Sequence, residues 1–383
     1  MLIFIQVYGG RVPMRSSKFV LVLFCLMILI SFSALVLADV DGGEKDEPID
    51  VPIEGDLVIT IDGDDELEQK ATDMGWEGNG TKSNPIIADN LSIDGGGNTH
   101  CFKVSNTDLY LNISDSLFTN TTASIIGNGI QLDNCGNVSI KNCTITGNNR
   151  GIMIQSSKNI QIEDCSVIDN KNSGIYQYYV ENLTVTSTRI NGTSVGIYVL
   201  MSDGVHHHRC IINKTKTSVN VQNCGMVSFS YCEMESENSI SPYNTENVSM
   251  INCTLEIGTL RLNSVDQFNL TGNTLKETVF EPGSFDFCRI WDNNFTGGGI
   301  YFEGWPGNFD DVEIPLNNTL NGLPILYSHD TDYMNATIGD VYGQIILGNV
   351  TNLILSGIDM NGVLYPMIVT YYSRIRIDDV NIR

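Results

Sequence analysis

Basic residues are scarce. Lysine and arginine number 21 against 45 aspartates and glutamates, giving a formal net charge of −24, and so acidic a chain lacks the positive surface that nucleic-acid phosphates require. Helical periodicity is missing too. Apolar residues alternate in short runs broken by Gly, Asn, Asp and Ser, which is strand and turn chemistry with no room for a helix. Leucine at fixed places, with a longer return segment, is also absent, which excludes a leucine-rich repeat.

What is present is a period. Between Gly129 and Phe295 one short row recurs, as in Asn137-Val-Ser-Ile-Lys-Asn-Cys-Thr-Ile145 and Asn159-Ile-Gln-Ile-Glu-Asp-Cys-Ser-Val167, with steps of about 20 to 23 residues. That is the length of one β-helix coil. Stacked coils place equivalent residues about 4.8 Å apart, so Val138, Ile160, Leu183, Val205, Val227, Val248, Phe268 and Cys288 form one buried ladder. Ile140, Ile162, Val185, His207, Phe229, Met250, Leu270 and Ile290 form the next. A small inward position runs through Cys143, Cys165, Thr188, Cys210, Cys232, Cys253, Asn273 and Asn293, with Ser116 one coil earlier and Asn318, Ala336, Ile358 and Val380 in later coils. The expected fold is all-β: a single-stranded right-handed parallel β-helix, a solenoid of about 13 coils over residues 74–383, in which only the stack is stable.

Residues 1–38 read as a signal peptide or N-terminal anchor, with Arg15 and Lys18 before an apolar run and Val36-Leu37-Ala38 as a cleavage site. Residues 39–73 read as an acidic linker. The expected location is therefore extracytoplasmic, secreted or at the cell surface or envelope, with membrane contact only through the anchor. Sixteen Asn-x-Ser/Thr sequons, among them Asn79, Asn112, Asn137, Asn182, Asn213, Asn269 and Asn335, suit a glycosylated exterior. Ten cysteines less Cys25 of the signal leave nine, an odd number that excludes complete intramolecular pairing. Stacked free thiols are expected in the inward column. The chain stops just after a strand row, so a C-terminal truncation is expected, or an uncapped end open to end-to-end contact.

The stretch Gly75-Trp76-Glu77-Gly78-Asn79-Gly80-Thr81, then Asn84-Pro85-Ile86-Ile87 and Leu91-Ser92-Ile93-Asp94-Gly95-Gly96, resembles the opening of exported NosD-like β-helix proteins. Asn321-Gly322-Leu323-Pro324-Ile325-Leu326-Tyr327 resembles the element that interrupts the coils in the same group. The resemblance implies the pectin-lyase-like superfamily and its carbohydrate-binding and sugar-hydrolase domain group. NosD is linked to copper-enzyme maturation, and a metal-delivery role is the third reading it implies. No Met/His cluster here matches a copper site.

Polygalacturonases on this fold use an Asn-Thr-Asp motif, which Asn106-Thr107-Asp108 reproduces. Their Asp pair, Gly-His-Gly and Arg-x-Lys do not follow in the next coils: Asp310-Asp311 comes far later and Arg374-Ile375-Arg376 lies on the last row. Glycoside hydrolysis needs two carboxyl groups facing each other across the bond, so no catalytic residue is assigned and the expectation is non-catalytic. A polysaccharide lyase or glycoside hydrolase with an unrecognised site is the rival. Tyr176 and Tyr198 stack in an outward column, and Tyr178 and Tyr243 in the parallel one, a wall suited to a polysaccharide or surface glycan. His206 and His208 point outward on one strand as a candidate metal pair, with His207 inward. Asp62-Gly63-Asp64-Asp65-Glu66 offers oxygens to calcium but lacks EF-hand spacing; no other cofactor is expected.

Overall fold

The computed structural model describes residues 58–121, 127–302, 311–334, 337–338, 342–360, 364–370, 372 and 374–382. The signal or anchor segment, most of the acidic segment, Asn335, Ala336 and Asp310 lie outside the described residues. Within them the chain winds through about 12 turns of a parallel β-solenoid, one fewer than the rows suggest. No helix among them is long and apolar enough to cross a membrane.

Each regular coil has three strands, for example Ser173–Tyr178 on a first face, Glu181–Thr186 on a second and Arg189–Asn191 on a third. Both expected ladders exist. On the second face Ile162 pairs with Ile140 and Val185, then His207, Phe229, Met250, Leu270 and Ile290 follow in parallel register. All of these side chains are buried. The Gly-Ile openings of the first-face strands have a packing cause. A Cβ on Gly174 would lie 2.4 Å from Ile190 Cγ2 and 2.7 Å from the Gly196 carbonyl oxygen, and Gly151 and Gly196 are equally enclosed.

The corners that turn the chain between faces carry left-handed residues in register from coil to coil, and two such columns recur. At the corner from first to second face these are Asn106, Asn134, Ser156, Tyr179, Met201, Asn223 and Asn244; at the corner from second to third they run from Asn90 and Asp115 to Asn252 and Asp292. Asn and Asp tolerate this conformation because a short polar side chain bonds locally. Asn106 Nδ2 donates to Asp62 Oδ1 at 2.6 Å, and Asn134 Nδ2 to Asn106 Oδ1 at 2.8 Å.

The inward column at the second corner closes the strand ends. Each side chain donates to a carbonyl left by a strand: Cys143 Sγ to Lys141 O at 3.3 Å, Thr188 Oγ1 to Thr186 O at 3.0 Å, Asn273 Nδ2 to Met250 O at 2.9 Å. Cys, Ser, Thr and Asn therefore interchange because each is small and carries a donor. The nine described cysteines are free thiols and all are buried. Burial pushes Cys101 up to about 12 and Cys135 to about 11. Hydrogen bonding to Cys165 in the next coil, then burial, raises Cys143 further.

The acidic segment ends earlier than its composition suggests. Ile59–Asp62 pairs with His100–Thr107, and Asp64–Met74 forms a helix that buries Leu67 and Ala71. Glu66 Oε2 accepts from the Asp62 amide at 2.6 Å, and Asp64, Asp65 and Glu66 fill the first turn, where the helix dipole favours acids. The expected linker over 39–73 is thus corrected: its last residues fold onto the first coils.

The coils break where the Asn-Gly element falls. Asn321 and Gly322, both at positive φ, make a two-residue hairpin pairing Leu320 with Leu323 and Thr319 with Pro324 antiparallel. Beyond it Ile345, Leu347, Val350, Leu353, Leu355 and Ile358 form a second core. Asn318 ends the inward column, and Ile358 pairs with Val380 on a separate three-stranded sheet rather than extending it.

Candidate functional site

The outward columns on the first face have the expected register. Met153, Tyr176, Tyr198 and Asn220 stack in order, and Gln155, Tyr178, Leu200, Gln222 and Tyr243 run beside them. The rings of Tyr176 and Tyr198 lie 5.1 Å apart at 18°, too close to be side by side, so their faces meet. The Arg150 guanidinium sits 4.6 Å over the Tyr176 ring. Burial, then the Tyr176 phenol beside it, raises the Tyr198 pKa. Tyr176 and Tyr198 therefore offer a sugar their edges and hydroxyls. Tyr176 in particular has Arg150 and Tyr198 against its ring.

Open aromatic surface lies one step away, at the corner. Tyr179 is 51% exposed, Tyr243 53% and Met201 38%, and Tyr178 meets Tyr179 edge-on at 4.5 Å. Sequence alternation missed Tyr179 and Met201 because it sorts strand residues only. The signal lay in the turn column, where both stand in line with Asn134, Ser156, Asn223 and Asn244. The same coil departs inside as well: Val180 replaces the donor that Cys135, Ser157, Ser202 and Cys224 supply. Arg150 brings a cation against this face, and its Nε is buried with no hydrogen-bond partner among the described residues.

On the second face His206 and His208 point outward and His207 inward. His207 is stacked on Phe229 at 4.7 Å, and its Nε2 lies 3.2 Å from Gln177 Nε2 across the core. Burial lowers its pKa to about 4. Among the described residues no group of three or more His, Cys, Asp or Glu is placed to hold a metal ion.

Asn106-Thr107-Asp108 borders a depression of about 240 Å³ with Asp64, Asn134, Cys135, Ser156 and Lys158. Its side chains are occupied in the turn. Thr107 Oγ1 donates to Asp64 Oδ1 at 2.6 Å, Asn106 joins the amide ladder, and Asp108 pairs with Lys158 at 3.4 Å in an exposed contact. Of the acids read as a calcium turn, Asp62 and Asp64 accept from Asn106 and Thr107, and Glu66 accepts from the Asp62 amide. Of the sequon asparagines, Asn79 and Asn182 are exposed, and Asn112, Asn137, Asn213 and Asn269 half-buried.

Residues 77–255 match the family model described as the right handed beta helix region. The coils are those of a right-handed β-helix. No curated protein matches the chain. Among the solved structures similar to it are the following three. One is a tailspike protein mutant of E. coli bacteriophage HK620 in complex with a hexasaccharide, at 10% identity over 83% of this chain and 74% of that one, with a TM-score of 0.45. Another is the A-module of a mannuronan C-5 epimerase from Azotobacter vinelandii, at 10% identity, 86% and 96% coverage and 0.41. The third is an alginate lyase from Paenibacillus, at 12% identity, 85% and 99% coverage and 0.34.

Proposed function

We propose that this is an exported, surface-displayed β-helix protein that binds an extended polysaccharide without cleaving it. One observation carries the reading: Tyr179 and Met201 occupy left-handed turn positions where neighbouring coils use Asn or Ser, and with Tyr243 they leave apolar surface in water. A bulky residue in that conformation costs free energy the fold does not need, and such departures mark function. The open rings offer flat faces for the apolar side of a sugar. Gln155, Gln222 and Asn220 supply hydrogen-bonding groups beside them, and Arg150 adds a cation.

The test is binding to immobilised neutral and acidic polysaccharides. A Tyr179→Ala, Tyr243→Ala double variant should lose at least about tenfold in affinity, or about 1.4 kcal/mol. Tyr176→Ala with Tyr198→Ala should lose less, because the two rings already stack on each other and Arg150 covers Tyr176. Unchanged affinity in the first variant removes the patch.

A second reading has one observation in its favour, the depression holding Asp64, Asp108 and Lys158. If the chain is a lyase or hydrolase, new reducing ends or unsaturated products will form with one of these polysaccharides and will vanish in Asp108→Asn.

A further inference from the structure

The polysaccharide reading leaves two histidines of the second face unused. His206 and His208 stand two apart on the strand Asp203–His208, so both side chains leave the same side of the sheet. Each ring is anchored at one nitrogen only. His206 Nδ1 lies 2.6 Å from Ser228 Oγ and His208 Nδ1 2.9 Å from Ser230 Oγ. The two serines are their direct partners in the next coil. A hydroxyl accepting from Nδ1–H selects the tautomer whose lone pair is on Nε2, and neither Nε2 has a hydrogen-bond partner among the described residues.

This is how imidazole ligands are prepared in metal sites: an outer polar group fixes ring and tautomer while the other nitrogen stays open. The surroundings depart from the turn rule here too. Arg209 and Tyr231 take left-handed positions, and the Tyr231 ring meets His208 edge-on at 5.4 Å. The facing columns hold Thr184 and Thr186 on one side and Ser228 and Ser230 on the other, so no carboxylate stands directly opposite either ring.

We propose that His206 and His208 together bind one divalent transition-metal ion through their Nε2 atoms, with water completing its coordination and Ser228 and Ser230 as positioning residues. Two nitrogen donors without oxygen-rich ligands favour Ni²⁺ over Co²⁺ over Mn²⁺ and disfavour Ca²⁺ and Mg²⁺. The nine described thiols do not compete, because all are buried.

Isothermal titration of the full chain with NiCl₂, in excess Mg²⁺ to occupy surface carboxylates, decides the matter. One saturable site is expected, with His206→Gln and His208→Gln each binding at least about tenfold more weakly. A Ser228→Ala, Ser230→Ala variant should lose about tenfold at unchanged melting temperature, and the corresponding threonine variant should recover it. No saturable Ni²⁺ site, or equal affinity in either histidine variant, overturns the proposal; full affinity in the alanine variant overturns the positioning role. Should a histidine variant unfold, a wild-type melting temperature that Ni²⁺ leaves unmoved also overturns it.

Discussion

The coils over residues 128–168 and those over 173–236 share one backbone and one pattern of buried columns, yet differ at their corners. In the first stretch the left-handed positions of these two corners hold Asn134, Asn142, Ser156 and Asp164; in the second Ser187 and Asn223 keep small polar residues there, but Tyr179, Met201, Arg209 and Tyr231 do not. Since the first stretch folds with small polar residues there, the bulky ones are not demanded by the turn. The difference separates what the fold requires from what it merely permits, and Tyr179 and Met201 of one candidate surface and His206 and His208 of the other fall in the second stretch.

The largest expected difference is inside. His207 sits only in the second stretch, and burial holds its pKa at about 4 against 6.5 for a free side chain. Its folded pKa is the lower one, so its contribution is whole above about pH 6.5 and is lost as pH falls toward about 4, where the unfolded chain takes up the proton first. That is on the order of 3 kcal/mol. Measured from pH 7 to 4, the melting temperature of wild type should fall relative to that of His207→Leu; parallel curves would show that His207 does not set the slope.

Glycine tests whether the interiors really match. Gly151→Ala in the first stretch and Gly174→Ala in the second bring a Cβ to 2.4 Å from Val167 and Ile190 respectively. Each should cost about 2 kcal/mol in denaturant unfolding. A loss confined to one stretch would break the comparison.

The smallest effect is the sharpest. Tyr179→Asn should stabilise the chain by about 0.5 to 1 kcal/mol, since Asn suits the left-handed turn, while lowering polysaccharide affinity. Asn134→Tyr should destabilise by a similar amount. If Tyr179→Asn instead destabilises, the ring is packing for the fold and the functional reading of the corner fails.

Much of this architecture was legible because the period is strict. Once Asn137, Asn159 and Asn182 are aligned, facing pairs follow from alternation, and Ile162 with Val185 or Tyr176 with Tyr198 needed no further information. Ring orientation was not legible, because a column fixes where a side chain leaves the backbone and not how its χ angles turn. Hence the Tyr176 and Tyr198 faces, read as open to sugar, close on each other. The N-terminal helix was hidden because it buries only Leu67 and Ala71 under an acidic first turn. Tyr179 escaped because turn residues obey a backbone rule that hydrophobic alternation does not see.

The contact between Gln177 and His207 bears on how such a monotonous chain finds its proper threading. Neighbouring windings are near copies, so a molecule that skipped one would still match oil to oil along most of its length. With one winding omitted, the amide of Gln177 would face Val185 or Phe229 in place of the imidazole. A polar couple facing across a greasy bore thus acts as a notch that penalises miscounting.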